Sequence, residues 1–254
     1  MIYIADISGC TQEQLLPHVC EFRRTYAAKY KQEADRIRSL GAAVLLDHVA
    51  EKAGIGTEHP LRILHDEAGR PYLADHTDWY VSISHAGDYV AAVVDRLPVG
   101  IDIEKIRPCK DSIAKRCFTQ EEQSYLADAA KTVEQIPAPD RKNAPSLQDK
   151  SFTQIWTLKE SFLKAIGTGL RLETDSFSVI LTEQDPERMR AILNEEEPGG
   201  ACIVPYRQDH DPNTYLGKGY RAPAGYVLSA CFTKESSLVE GGELHEIRLS
   251  ALLP

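Results

Sequence analysis

Apolar residues recur at helical and strand periods along this chain, and their spacing predicts most of its elements. Residues 1–10 read as a strand. From Leu15 to Ala53, apolar positions such as Phe22, Tyr26, Tyr30, Ala34, Ile37, Leu40, Val44 and Leu45 fall at near-helical spacing. That pattern predicts one long helix, ended by Gly54-Ile55-Gly56. Leu61–Asp66 suits a strand, and Glu67–Pro71 carries turn chemistry. Three strand-like runs follow, Trp79–Ser84, Tyr89–Asp95 and Val99–Glu104, the last two joined by a link short enough for a hairpin. Beyond Pro108, Thr119 and Glu122 form a capping-box pattern heading a helix that reaches Ala130. The polar, proline-bearing stretch Lys131–Asp149 reads as an exposed insertion. A strong helix then spans Phe152–Ile166 and stops at Gly167. Phe177–Thr182 is predicted as a strand, Glu183–Leu193 as a short helix and Tyr226–Thr233 as a strand. Both halves thus carry helices and a core strand, which hints at an internal repeat of α+β type.

Composition narrows the possibilities. At 254 residues, with 43% hydrophobic and 26% charged side chains, the chain can form one large globular domain or two modest ones. A net charge of −9 argues against sequence-independent nucleic-acid binding, which relies on phosphate neutralisation. Anionic ligands must therefore meet local clusters of Lys and Arg. The N-terminus lacks the basic start of a signal peptide, and no apolar run reaches the length of a membrane span. The six scattered cysteines lack zinc-ligand spacing and are expected as free thiols. The expected compartment is the cytoplasm.

Four features could carry chemistry. In Val99–Glu104, Ile101 and Ile103 point to one face of a strand, and Asp102 and Glu104 to the other. Adjacent carboxylates call for a cation such as Mg²⁺, although, taken alone, a solvated strand face explains the pair better. In Trp156–Lys164, Glu160 and Lys164 lie one helical turn apart. Alone they are a surface ion pair worth about 0.3–0.5 kcal/mol; beside a carboxylate pair they add a third metal ligand and a cation for phosphate. Ser84 and His85, at a strand end, could bond a phosphate or be merely structural. No Ser-His-Asp order or GxSxG elbow points to a hydrolase. Lys29, Lys31, Arg36 and Arg38 crowd the first helix, and Arg70 precedes Pro71, so each is a solvated residue or part of an anion site.

Together, Ser82-Ile83-Ser84-His85, Gly100-Ile101-Asp102-Ile103-Glu104 and Trp156-Thr157-Leu158-Lys159-Glu160-Ser161-Phe162-Leu163-Lys164 resemble the signature set of the surfactin-type (Sfp-type) 4′-phosphopantetheinyl transferases. Gly69-Arg70-Pro71, Phe118–Glu122 and Asp175–Val179 extend the resemblance, which runs from about Lys29 to Leu181. It implies an α+β fold of two similar lobes related by a pseudo-twofold, residues 1–107 and 108–254, each a small antiparallel sheet packed on a long helix. Coenzyme A would lie in the cleft between them. Asp102, Glu104 and Glu160 would bind Mg²⁺ (or Mn²⁺) with the pyrophosphate, and Lys164 and Lys159 would neutralise the phosphates. His85, Ser84 and the first-helix cations Lys29, Lys31, Arg36 and Arg38 would hold the 3′-phosphate, with Arg70 and Pro71 near the adenosine. The resemblance implies transfer of phosphopantetheine to a serine of an acyl- or peptidyl-carrier protein, with release of 3′,5′-adenosine diphosphate. Asp102, Glu160 and Lys164 would be the catalytic groups, and Glu160 would accept the serine proton. Residues 111–125 would dock the carrier, through Ile113, Lys115, Arg116, Cys117, Phe118, Glu122 and Tyr125. A monomer is expected, without nucleic-acid or membrane partners. Two rival readings use the same residues: a Mg²⁺-dependent pyrophosphatase acting on a nucleotide cofactor, and a non-catalytic coenzyme A-binding module.

Overall fold

A computed structural model describes residues 1–56, 58–133, 145–168, 171–179, 201–203 and 215–253. The first part of the chain forms β1 (Ile2–Asp6), α1 (Gln12–Leu15), α2 (Glu21–Ala27), α3 (Glu33–Lys52), β2 (Ile63–His65), β3 (Pro71–Leu73), β4 (Tyr80–Ala86), β5 (Tyr89–Asp95) and β6 (Val99–Lys105). The remainder forms α4 (Asp111–Cys117), α5 (Gln120–Val133), α6 (Leu147–Ile166), β7 (Ala201–Ile203), β8 (Tyr215–Tyr220), β9 (Tyr226–Thr233), α7 (Leu238–Gly241) and β10 (Leu244–Arg248).

Two four-stranded sheets organise these elements. The first has the order β10-β1-β5-β4 and the second β6-β9-β8-β7; β2 and β3 form a separate hairpin. All pairings are antiparallel except β1 with β10. Each four-stranded sheet is backed by a long helix, as the α+β reading requires. Strand alternation explains how the layers stack. Tyr3, Ala5, Val90, Ala92 and Val94 turn toward Leu40, Val44 and Leu45 of α3. Ile2, Ile4, Ala91 and Val93 turn the other way and pack with Val99, Ile101, Ile103, Leu228, Ala230 and Phe232 of the second sheet. Cys231 packs with Leu158, Phe162 and Leu163 of α6, on the far side. Burial on both faces is why β5 reads as an unbroken apolar run.

Several expectations change. The single helix expected from Leu15 to Ala53 is a 3₁₀ turn and two α-helices, of which only Glu33–Lys52 is long and continuous. Pro17 sits in a 3₁₀ turn over Leu16–His18, where its missing N–H does no harm. The link Arg96–Pro98 does not close a hairpin, because β5 and β6 belong to different sheets. Ile101 and Ile103 gain more burial by crossing into the second sheet, where Val99↔Phe232 to Lys105↔Tyr226 set the register with β9. Helix α6 begins at Leu147, ahead of the expected Phe152, because Ser146 and Asp149 cap it reciprocally. The expected insertion therefore supplies the end of α5 and the start of α6. Of the expected strand Phe177–Thr182, residues 177–179 are irregular; its remainder and the expected helix 183–193 lie outside the described residues.

The second sheet and α6 come close together at Gly100. A Cβ built there would stand 1.9 Å from the Ser161 carbonyl oxygen and 2.6 Å from the Ala165 nitrogen. Only glycine lets α6 lie directly on β6, and this contact sets Glu160 and Lys164 beside Asp102. Gly100→Ala should push α6 away at a cost of about 3 kcal/mol. The expected result is a lowered thermal midpoint together with lost activity; an unchanged midpoint would mean that the two elements need not touch.

Candidate active site

Serine hydroxyls stitch the two sheets together at the site. The Ile101 N–H donates to Ser82 Oγ at 3.1 Å, and the Ile103 N–H donates to Ser84 Oγ at 3.3 Å. Because Ser82 and Ser84 are two residues apart on β4, both reach the same neighbouring strand. Ser84 Oγ donates in turn to Asp102 Oδ1 at 2.7 Å. Lys164 Nζ donates to the same oxygen at 2.7 Å and to the Ile101 carbonyl at 3.0 Å. Asp102 is only 5% exposed, and its second oxygen is buried without a partner. An unmet buried carboxylate oxygen is costly, which marks a place prepared for a cation or donor.

Glu104 and Glu160 face the same region. Burial raises the Glu104 carboxyl above its ordinary range, and the neighbouring Asp102 charge adds to this. Glu160 is raised by burial and then by Asp102, while Lys164 pulls it back. The negative charge here exceeds what Lys164 alone offsets. Among the described residues, however, no three acidic, His or Cys side chains converge into a ready-made metal cage. Lys164 holds one Asp102 oxygen, Oδ1, and leaves Oδ2 unpartnered. The donor chemistry, the orphaned oxygen and the mutual repulsion suit a hard divalent cation.

A cavity of about 300 Å³ is walled in part by Ser84 and Lys164, the two partners of Asp102, while none of the three carboxylates lines it. Of the expected ligand contacts, the cavity brings together Arg70, Pro71, Ser84, His85 and Lys164. Arg70 lies against Gly167, whose positive φ of 73° ends α6, and packs over the Tyr80 ring at 5.0 Å. The cavity also enlists Ser82 and Arg23, Tyr26, Tyr30 and His65, which the sequence reading had not singled out as site residues. Arg23 is 3% exposed on a short helix, so neither its spacing nor its charge distinguished it from solvated arginines.

The remaining first-helix cations divide. Lys29 Nζ stands 5.5 Å above the Tyr26 ring, near the cavity wall. Arg38 pairs with Asp35 and donates to the Gly87 carbonyl, yet its charge still reaches His85. Arg36 is engaged in structure, donating to Gln12 and to the Tyr30 and Lys31 carbonyls. Lys31 is exposed and does not line the cavity. Lys159 corrects the expectation that it neutralises phosphates. It is fully buried, 2.9 Å from Glu122, and donates to the Thr174 and Phe177 carbonyls at 2.7 Å each. A cation so enclosed is structural.

The expected docking segment also divides. Cys117, Phe118 and Glu122 are buried, and Glu122 accepts from the Thr119 and Val179 N–H groups, so these three belong to the interior. Tyr125 packs partly buried against that cluster. Lys115 and Arg116 are exposed. Ile113 lines a groove of about 220 Å³ with Phe152 and Trp156, rimmed by Lys105, Arg107 and Lys110 and reaching Glu104.

His85 is lowered to about 4, by burial first and then by Lys164, Arg38 and Arg23. His65 is lowered to about 4 by burial and the Arg23 charge. Unfolded imidazoles protonate near 6.5. Between these values the folded chain therefore binds fewer protons through these histidines, and their contribution makes stability rise with pH. Glu104, Glu122 and Glu160, raised in the fold, act in the opposite sense above 4.5. The expected result is that His85→Asn flattens the dependence of thermal midpoint on pH between 4 and 6.5, measured against the parent chain. An unchanged slope would show that His85 titrates normally in the fold.

A family model described as the 4′-phosphopantetheinyl transferase superfamily matches residues 98–229, which include Asp102, Glu104, Glu160 and Lys164. This chain belongs to that superfamily. It is 30% identical over 237 residues to 4′-phosphopantetheinyl transferase Sfp of Bacillus subtilis, covering 91% of this chain and 92% of the relative. A second Bacillus subtilis 4′-phosphopantetheinyl transferase is 33% identical, covering 70% and 73%. The family thus extends well beyond the matched segment, across the first helices and β4. The L-aminoadipate-semialdehyde dehydrogenase-phosphopantetheinyl transferase of Rattus norvegicus is 36% identical over 52% of this chain and 43% of its own.

Proposed function

We propose that this transferase takes coenzyme A as donor in the 300 Å³ cavity and a carrier-protein serine as acceptor at the carboxylate end. One observation carries the reading. Lys164 lines the cavity and also holds Asp102 at 2.7 Å, so a pyrophosphate bound in the cavity would lie against the acidic cluster. Asp102, Glu104 and Glu160 would hold Mg²⁺ (or Mn²⁺), which supplies charge neutralisation at the pyrophosphate when bound. Lys164 would donate to a phosphate oxygen and His85 would add a neutral donor, since His85 is not a cation at neutral pH, while Ser84, whose one hydroxyl proton goes to Asp102, would hold that carboxylate in place.

The acceptor serine oxygen forms a bond to the phosphorus that carries the pantetheine arm. The phosphoanhydride bond breaks, and 3′,5′-adenosine diphosphate leaves with the electron pair. Glu160 would take the serine proton; its raised affinity for protons, due to burial and Asp102, suits a base. The groove of Ile113, Phe152 and Trp156 would receive the carrier, with Lys105, Arg107 and Lys110 facing its acidic side chains. Residues 1–107 and 108–254 would act as two lobes flanking the cavity. Each sheet then takes one strand from the other half of the sequence, β6 in one case and β10 in the other. No helix of the described residues is long and apolar enough to cross a membrane, and a cytoplasmic monomer is the form proposed.

Calorimetric titration with coenzyme A tests the donor site. Binding should strengthen with Mg²⁺ and weaken by about tenfold or more in Lys164→Ala, the loss of a charge-assisted hydrogen bond. Equal affinity in the variant would remove Lys164 from the phosphate site.

A further inference from the structure

Of Asp102, Glu104 and Glu160, Glu104 alone lines the groove of Ile113, Phe152 and Trp156. It follows Asp102 by two residues on β6, so both side chains leave the same face of the strand. On the groove side its neighbour is Arg107, whose Nη2 stands 3.8 Å from Glu104 Oε2. Arg107 lines the groove as well, and its side chain is 72% exposed. Lys105 and Lys110 complete a basic rim on a chain that carries −9 overall, so an acidic partner finds opposite charge here. Trp156 precedes Glu160 by one turn of α6. The groove and the acidic cluster therefore share both β6 and α6.

We propose that Arg107 is a positioning residue that couples carrier docking to the acidic cluster. A carboxylate of the carrier draws the Arg107 guanidinium away from Glu104, and Glu104 is then free to share a divalent cation with Asp102 and Glu160. This rests on the two sites proposed above, the groove for the carrier and the carboxylates for the cation. Electrostatics make the exchange workable. Asp102 and Glu160 both press on the Glu104 charge, whereas Arg107 and Lys164 offset it. Once Arg107 turns away, Glu104 is left beside two like charges, and all three are relieved by a bound cation. The pair is also weak enough to give up. An exposed ion pair is worth only about a few-fold in an equilibrium, so one closer, bidentate carboxylate outcompetes it. Lys164 cannot take this part. It is tied to Asp102 at 2.7 Å and to the Ile101 carbonyl at 3.0 Å, and it faces the cavity instead of the groove. The cation is thus held most tightly when the acceptor is in place.

The test measures Mn²⁺ binding, read as free Mn²⁺ by electron paramagnetic resonance, with coenzyme A present. It is run with and without an apo carrier whose acceptor serine is replaced by alanine, and carrier binding is followed separately by fluorescence anisotropy. In the parent chain the carrier should tighten Mn²⁺ by about two- to fivefold, the worth of one exposed ion pair. Reciprocally, Mn²⁺ should tighten the carrier by the same factor. In Arg107→Gln, Mn²⁺ should bind that much more tightly from the start, and saturating carrier should add nothing. Arg107→Lys should keep the carrier's effect. Arg107 is exposed, so both variants should fold as the parent does. In turnover, Arg107→Gln should raise KM for the carrier with kcat retained. Loss of a charge that merely stands nearby would also tighten Mn²⁺ in Arg107→Gln, but the carrier's effect would persist, and that result would overturn the inference. A parent chain that binds carrier and Mn²⁺ independently would overturn it too, leaving both proposed sites standing. A parent chain that binds none of several carriers, or no Mn²⁺, would overturn those sites and this inference with them.

Discussion

Asp102→Asn should lower kcat for phosphopantetheine transfer by about a thousandfold while the fold stays intact. Asparagine keeps an oxygen that can accept from Ser84 Oγ and Lys164 Nζ, both 2.7 Å from the native carboxylate. What it loses is the charge that balances Lys164 and that would be shared with a bound cation. Removal of a single preorganised electrostatic group from a dry site typically costs a hundred- to about a thousandfold in rate, and Asp102, 5% exposed, lies at the dry end of that range. Steady-state kinetics with a thermal melt on the same preparation would check this. A kcat within about tenfold of the parent would show that the Asp102 charge is not part of the catalytic field.

Lys159 should behave in the opposite way, with a large effect on stability. It is fully buried against Glu122, itself 2% exposed. Burial pushes both toward their neutral forms, and their mutual attraction with the surrounding hydrogen bonds pulls them back. Removing one partner strands the other's charge, at a cost of about 3–5 kcal/mol. For Lys159→Met that corresponds to a fall in thermal midpoint on the order of 10 °C. Adding Glu122→Gln should restore more than half of the loss, because no unpaired charge then remains. A Lys159→Met protein that melts normally and has lost transfer would instead place Lys159 at the ligand.

These two residues show what the sequence made legible and what it hid. Asp102 and Lys164 announced themselves through pattern: a carboxylate opposite Ile101 and Ile103 on a strand, and a cation one turn from Glu160 on a helix. The structure places both side chains on one oxygen-to-nitrogen contact. Lys159 sits next to Glu160 in the same motif, but the helix turns it about 100° away, into the interior with Glu122. Residue identity gave no indication of that direction. Pro17 marks the break ahead of Glu21–Ala27, and the apolar period that continues across it hides that break. The crossing of β6 into the second sheet was hidden for another reason. A three-residue link fits a hairpin or a crossover equally, and the choice is made by remote partners on β9, more than a hundred residues away. Arg23 and His65 were hidden because their meeting depends on α2 docking against the β2–β3 hairpin, which no local pattern encodes.

The central claim is transfer from coenzyme A to a carrier serine at the Asp102–Lys164 end of the cavity. Intact-mass measurement of an apo carrier protein incubated with this chain, coenzyme A and Mg²⁺ tests it most directly. A gain equal to one phosphopantetheine group, absent with a chelator and absent with Asp102→Ala, is the expected result. Breakdown of coenzyme A with no mass gain on any of several carriers would contradict it and point to a pyrophosphatase. Binding of coenzyme A with neither reaction would contradict it equally, leaving a binding module.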